Sequence, residues 1–317
     1  MHAQPVDEPA RLSVTIIGPL EVRRDAMVLH AHDLGGPKPR QILEILLLRR
    51  GVPVSKDVLI DLLWGDKVPR EARAALESYV SVLRRHLQPA LGRSGPLRTT
   101  TGGYFMDESV VDLDLARFDA LLHRAQRAEA AIAHPLVVQA LSLASGPLLG
   151  DELRPAWADE ARRRHADAVS AARVLAAESA AALGANDEAI LWANQALLDD
   201  PLHEGAWMAL ILALERSCQY AEGLRAYGRC RLVLDRELGC EPSPALRAAH
   251  TRLLQATATG QGELSHAVSA LLVLHDQLVR SAQAGFEADL AEARTGDAVR
   301  HASDVLASFL RRAIKVA

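Results

Sequence analysis

In this chain of 317 residues, the stretch that most constrains the fold is REARAALESYVSVLRRHL at 70–87. At 100° per residue, Leu76, Val80, Leu83 and Leu87 fall in one narrow stripe, the mark of a helix seated on an apolar core. Opposite them lie Arg70, Ala74, Glu77, Ser78, Ser81 and Arg85, with Arg73 and Arg84 on the flank. That outward face is basic, short-chained and able to hydrogen-bond. A basic helix standing alone ordinarily turns such a face to solvent, so the segments around it decide what it serves.

Residues 12–17, 20–24 and 26–30 are short β-prone runs broken by Gly18-Pro19 and Asp25, which predicts a small antiparallel sheet at the start. Pro37 and Pro39 lead into a helix at about 38–50 that stops at Gly51. Ser55 is placed to cap a second helix, with Gly65 just past its end. After the basic helix, LRTTTGGYFMD predicts a hairpin in which Gly102 and Gly103 both take positive φ. Sheet, three helices and hairpin is the order of a winged helix-turn-helix. In that arrangement one helix braces, the basic one enters the major groove, and the hairpin reaches neighbouring backbone or minor groove.

Charge supports this division. The chain carries a net −4, yet residues 34–105 hold 12 Lys+Arg against 6 Asp+Glu, whereas 106–317 hold 21 against 29. A basic first third before an acidic remainder is the footprint of one segment that meets phosphate and another that does not. With 49% hydrophobic and only 4% aromatic residues, and much Ala, Leu and Arg, the chain is expected to be mainly α and to form two or more domains. Residues 1–11 lack the apolar stretch of a signal peptide and no run is long enough to span a bilayer, so a cytoplasmic, nucleoid-associated location is expected. Cys218, Cys230 and Cys240 show neither disulfide nor zinc spacing and read as reduced core thiols.

PKPRQILEILLLRRG, VSKDVLIDLLWG, ESYVSVLRRHL and the TTTGGY hairpin together resemble the OmpR-type winged-helix domain of the SARP transcriptional activators, the antibiotic regulatory proteins. Residues 112–258 resemble the bacterial transcriptional activator domain of the same family, most clearly from LGANDEAILWANQALL onward. A repeat is visible independently. Ala189 and Gly223 are 34 residues apart, as are Ala196 and Cys230, with Trp207 and Leu210 opening a helix between them. This is tetratricopeptide-like spacing, in which small residues let paired helices approach and stacking buries the faces. Pro201 ends one repeat, and Asp235 occupies the corresponding place in the next. The expected architecture is therefore a winged helix-turn-helix (α+β) domain at 1–106, then all-α repeats at 112–258. The series of helices begins with VDLDLARFDALL at 111–122. Amphipathic helices at 263–317 follow, for capping, self-association or packing on the domain interface, capping being favoured.

Candidate phosphate or sugar contacts are Lys38, Arg40, Arg70, Arg73 and Arg98, and Arg84 on the flank joins them. Arg85, Ser78 and Ser81 face outward as base readers, since an arginine can hold guanine O6 and N7 with two hydrogen bonds. Tyr104 either anchors the wing or touches DNA, and Tyr79 is expected at the core edge. Relatives often carry arginine where this chain has Val82, whose methyls can pack on a thymine methyl. Ser217-Cys218-Gln219 also replaces a usual glycine-containing turn. No GxxxxGK[ST] occurs, and the Asp112/Asp114, His275/Asp276 and His30/His32 pairs lack further ligands. No catalytic residue, cofactor or metal is expected. The expected function is a sequence-specific activator on direct-repeat promoter sites of a secondary-metabolite (antibiotic) cluster. Its partners are double-stranded DNA, RNA polymerase and a second copy of itself. The alternative is a helical-repeat scaffold or effector-sensing regulator binding protein or a small ligand.

Overall fold

A computed structural model describes residues 12–89, 91, 95–152 and 156–259. The chain divides into two compact units, Met1–Ser179 and Ala180–Ala317. The first opens with an antiparallel meander of β1 (Leu12–Thr15), β2 (Glu21–Arg24) and β3 (Met27–His30), in register Val14↔Val22↔Leu29. These three residues point to one face and are buried, the period-2 signal expected of a half-covered sheet. Asp25 makes the β2–β3 turn at φ +52, a conformation that aspartate tolerates better than most residues.

The winged-helix elements follow in the expected order. They are α1 (Pro37–Leu48), β4 (Val54–Ser55), α2 (Lys56–Trp64), α3 (Ala72–Leu87), β5 (Leu97–Thr100) and β6 (Gly103–Met106). Ser55 Oγ accepts the Val58 N–H at 3.2 Å, and Gly65 closes α2 at φ +53. Leu43, Leu46, Leu59, Leu76 and Leu83 are fully buried where α1, α2 and α3 pack together. Each such side chain contributes about 1.5–3 kcal/mol by leaving water, so the stripe on α3 is what seats it. β6 lies between β4 and β5. The hairpin corrects one expectation. Gly102 does take positive φ, at +88, but Gly103 does not. Gly103 is required by space instead, because a Cβ there would stand 2.2 Å from the carbonyl oxygen of Val54 on the paired strand.

A second correction concerns residue 111 onward. The helical series begins with a strand, β7 (Val111–Leu113), which pairs parallel with β1 and completes the sheet order β3-β2-β1-β7. Alternation of Val111 and Leu113 suits that open edge. The chain turns into α4 (Asp114–Ala125) at Asp114, whose buried carboxylate accepts the N–H groups of Ile16 (3.0 Å), Ile17 (2.9 Å) and Leu115 (2.7 Å). Burial raises its pKa and those three bonds oppose the rise. α5 (Ala130–Leu143) and the long α6 (Ala156–Ala182) continue the unit. Between them, Arg162 of α6 donates to the carbonyls of Leu148, Leu149 and Glu152, and Asp151 accepts the Leu20 N–H at 2.6 Å. The 148–152 segment is thereby fixed against β1 and the turn after it.

In the second unit, α7 (Asn186–Asp199) packs on α8 (Glu204–Arg216), α8 on α9 (Tyr220–Leu238), and α9 on α10 (Pro244–Thr259). α7 and α9 begin 34 residues apart, and Ala189, Ala196 and Cys230 are wholly buried at the approach of paired helices. Gly223 sits so close to α10 that a Cβ would stand 2.9 Å from Leu253. Asp235 does not end its repeat; it lies inside α9, which runs to Leu238 and stops on Gly239 at φ +63. Cys218 makes the α8–α9 turn at φ +58, where a glycine would be unstrained. Cys218 and Cys240 are exposed, so only Cys230 is a core thiol, pushed up to about 12 by burial. The expectations for residues 1–11 and 263–317 lie outside the described residues.

One buried acid gives the first unit a pH dependence. Glu44 of α1 is fully buried, and neither carboxyl oxygen has a hydrogen-bond partner among the described residues. Arg40 Nε stands 4.0 Å from it, and burial, followed by the charge of Glu152, pushes its pKa from 4.5 up to about 9. The folded state keeps a proton that the unfolded chain releases, so this contribution to stability declines as pH rises from 4.5 toward 9. Glu44→Gln, which imitates the protonated acid, should flatten the decline. Urea melts at about pH 6 and about pH 8.5 check this, and an equal loss in both proteins would refute it. Gly103→Ala should cost about 1–3 kcal/mol in the same melts through its overlap with Val54, an outcome refuted by an unchanged midpoint.

Candidate nucleic-acid interface

α3 presents its outward side as the sequence places it. Ala74, Ser78, Ser81 and Arg85 are exposed along the helix, and Arg70 is exposed in the turn before it. Arg70 and Arg85 have no ion pair or hydrogen bond among the described residues. Ser81 Oγ donates to the Glu77 carbonyl at 2.8 Å, which holds the hydroxyl close to the helix with its lone pairs outward. Arg84, Arg85 and His86 occupy the last turn, where positive charge offsets the helix dipole.

The two flanks are tied to other elements. Arg84 turns toward the hairpin: its guanidinium lies 3.3 Å from the Leu97 carbonyl oxygen, donates to Thr99 Oγ1 at 2.6 Å, and stands 5.9 Å from the centre of the Tyr104 ring. Tyr104 itself is 4% exposed, packed within the wing sheet with Lys56 Nζ 5.7 Å from the same ring. Of the two roles open to Tyr104, its position is that of an anchor. Lys56 at the start of α2 pairs with Glu77 at 2.5 Å, and the bond raises the lysine pKa and lowers that of the glutamate. Arg73 pairs with Asp57 at 2.6 Å on an exposed surface. Arg98 pairs with Asp107 at 2.7 Å, whose acidity is increased first by the Ser109 hydroxyl, then by the Ser109 N–H and last by that arginine.

Lys38 and Arg40 of α1 are placed differently from the α3 cations. Lys38 Nζ donates to the Leu63 carbonyl and lies 5.7 Å from the Trp64 ring centre, while Trp64 stacks with Tyr79 at 6.4 Å. Arg40 Nε donates to the nearly buried Glu152 at 2.6 Å, and Gln41 reaches the other Glu152 oxygen at 2.9 Å. The Arg40 side chain is only 19% exposed. Val82 does not lie on the outward face either: its Cγ1 would be 2.5 Å from a Cβ added to Gly35, so it packs beside the turn that precedes α1. Sequence reasoning placed Glu77 on this face but missed Lys56 and Thr99 as parts of the surface, and also Arg24, which donates to the His86 carbonyl at 2.8 Å. Adjacency of β2 to the end of α3 has no signal in local periodicity.

Arg84→Ala should therefore destabilise the wing by about 1–2 kcal/mol, the scale of its lost hydrogen bonds, whereas Arg85→Ala should leave the melting midpoint within about 0.5 kcal/mol of the parent. Denaturant melts decide it, and a larger loss from Arg85→Ala would reverse the assignment.

Comparison with known proteins agrees with this layout. The family described as "Transcriptional regulatory protein, C terminal" matches residues 34–106, and "Bacterial transcriptional activator domain" matches residues 113–254. Regulatory protein AfsR of Streptomyces coelicolor is 32% identical over 255 residues, which is 79% of this chain and 25% of AfsR. Regulatory protein DnrI of Streptomyces peucetius is 32% identical over 229 residues, covering 69% of this chain and 84% of DnrI. The chain thus spans a quarter of AfsR but most of DnrI. The solved structure of Mycobacterium tuberculosis EmbR in complex with a low-affinity phosphopeptide matches with a TM-score of 0.66 and 29% identity, over 83% of this chain and 71% of that one. No helix among the described residues is long and apolar enough to cross a membrane. A winged helix whose outward face is basic, joined to a bacterial transcriptional activator domain, together with the similarity to AfsR and DnrI, places this chain in the SARP-type family of transcriptional regulators.

Proposed function

We propose that the chain is a sequence-specific DNA-binding transcriptional activator, with a winged-helix module within residues 1–106 and an activator module within 112–258. The observation that carries the reading is the outward face of α3. Arg85 on that face and Arg70 in the turn before it are exposed and free of side-chain partners among the described residues, beside two exposed serines and a hairpin held in place by Arg84. Cations on one surface gain by releasing condensed counterions from a duplex, and Arg85, Ser78 and Ser81 project where base edges would lie. Arg73 and Arg98 keep exposed guanidiniums that can exchange an intramolecular carboxylate for a phosphate. Lys38 and Arg40 are the weakest of the phosphate candidates, because their charges already serve α1.

In this reading two copies occupy adjacent direct-repeat half-sites in promoters of a secondary-metabolite cluster, as family membership implies, and the helical domain contacts RNA polymerase. Footprinting on the promoters that flank its own gene tests the assignment. Arg85→Ala should lower discrimination at one base position by about 1–3 kcal/mol. Arg70→Ala should weaken binding to all sequences alike and reduce the salt slope by about one. Equal effects from both variants would remove the division of labour, and a chain that ignores duplexes at low salt would remove the reading itself.

A further inference from the structure

Away from the α3 face, the first unit contains a cleft at the C-terminal end of α1. It encloses about 370 Å³ between Arg49, Arg50, Asp119, Arg164 and His165, within the range of small-molecule sites. A neighbouring space of about 170 Å³ shares Arg49 and Arg164 and adds Ile45, Leu62, Trp157 and Glu160. The cleft therefore has a charged end and an end with an apolar, aromatic wall.

The charged end is unbalanced. Arg50 pairs with Asp119, and Arg164 lies 3.5 Å from Glu160. Arg49 is exposed and its guanidinium has no ion pair or hydrogen bond among the described residues. Glu160 is held more closely by Arg163, at 2.6 Å, so the three guanidiniums of the cleft meet one whole carboxylate, Asp119, and a share of a second. His165 is the second observation. It is 7% exposed, its ring meets Phe118 edge-on with centroids 5.0 Å apart, and neither ring nitrogen has a partner among the described residues. Burial holds its pKa below the ordinary 6.5, against the opposing pull of Asp119 and Asp114. The ring is then neutral near pH 7; it forms part of the cleft wall, while both of its nitrogens are shut off from solvent, so it lines the cleft without adding charge to it.

We propose that the cleft is a binding site for a small molecule that carries a phosphate group, its oxygens meeting Arg49 and Arg164 beside the His165 ring, and its apolar body lying toward Ile45, Leu62 and Trp157. Planar guanidiniums match phosphate oxygens two at a time, and the excess of positive charge suits a dianion better than a single carboxylate. The site stands apart from the α3 face and does not rest on the DNA-binding reading.

The test uses the full chain titrated with three probes: inorganic phosphate, phenyl phosphate and benzoate. The readouts are the His165 ring signals in NMR, assigned with the H165Q spectrum, and Trp157 fluorescence. Phosphate and phenyl phosphate should both shift the His165 signals saturably, with phenyl phosphate binding more tightly and benzoate more weakly than either. The double variant Arg49→Ala/Arg164→Ala, whose truncated side chains are exposed, should retain the fold by circular dichroism and weaken both phosphate probes about tenfold or more. A His165 signal that moves with neither phosphate probe, or affinity unaltered in the double variant, would overturn the site. Benzoate binding as tightly as phenyl phosphate would overturn the choice of phosphate, and equal affinity for phosphate and phenyl phosphate would overturn the apolar end.

Discussion

The first unit depends on buried carboxylates that finish what its strands leave undone. β1 ends at Thr15, and the N–H groups of Ile16 and Ile17 beyond it would be orphans if Asp114 did not accept them. Asp114 is also the first residue of α4, so one side chain fixes the end of a strand to the start of a helix 98 positions away. Glu152 does the equivalent for α1, through Arg40 and Gln41. These are long-range polar ties within a mainly apolar interior. They specify which surfaces meet, where burial alone supplies the force.

The same economy governs the basic residues. Twelve lysines and arginines in residues 34–105 suggested a broad electropositive surface, but many of them are engaged by the protein. Lys56, Arg73 and Arg98 each hold a carboxylate, Lys38 holds a carbonyl, and Arg40 holds a nearly buried glutamate. Among the described residues, the cations that remain unengaged around α3 are few: Lys67 and Arg70 before its start and Arg85 in its last turn, with exposed serines between them. A narrow free face is better suited to discriminating among partners than a diffuse positive one, whose attraction is non-directional.

Periodicity and punctuation made much of this legible. The α3 stripe, the Ser55 cap, the Gly65 stop and the 34-residue spacing are local patterns, and each corresponds to a local physical demand. What was not legible depended on residues distant in sequence. β7 is a strand because β1 offers it an edge, and Gly103 is a glycine because Val54 lies against it. Asp235 looked like a boundary only by analogy with Pro201, yet aspartate does not stop a helix as proline does, and α9 runs on to Gly239. Among the candidate site residues, sequence placed the exposed face of α3 well but could not divide free cations from engaged ones. That division is set by Glu152, Asp57 and Asp107, none of which shares a helical face with its partner.

Arg84 sits on α3 yet is bonded to the hairpin at Leu97 and Thr99. Helix and wing are thus riveted into one implement with a fixed span between its two working edges. Whatever touches one edge meets the other at a separation that the protein dictates. Side chains at 78, 81 and 85 make no bond to the hairpin among the described residues, so substitutions there leave that gauge unaltered.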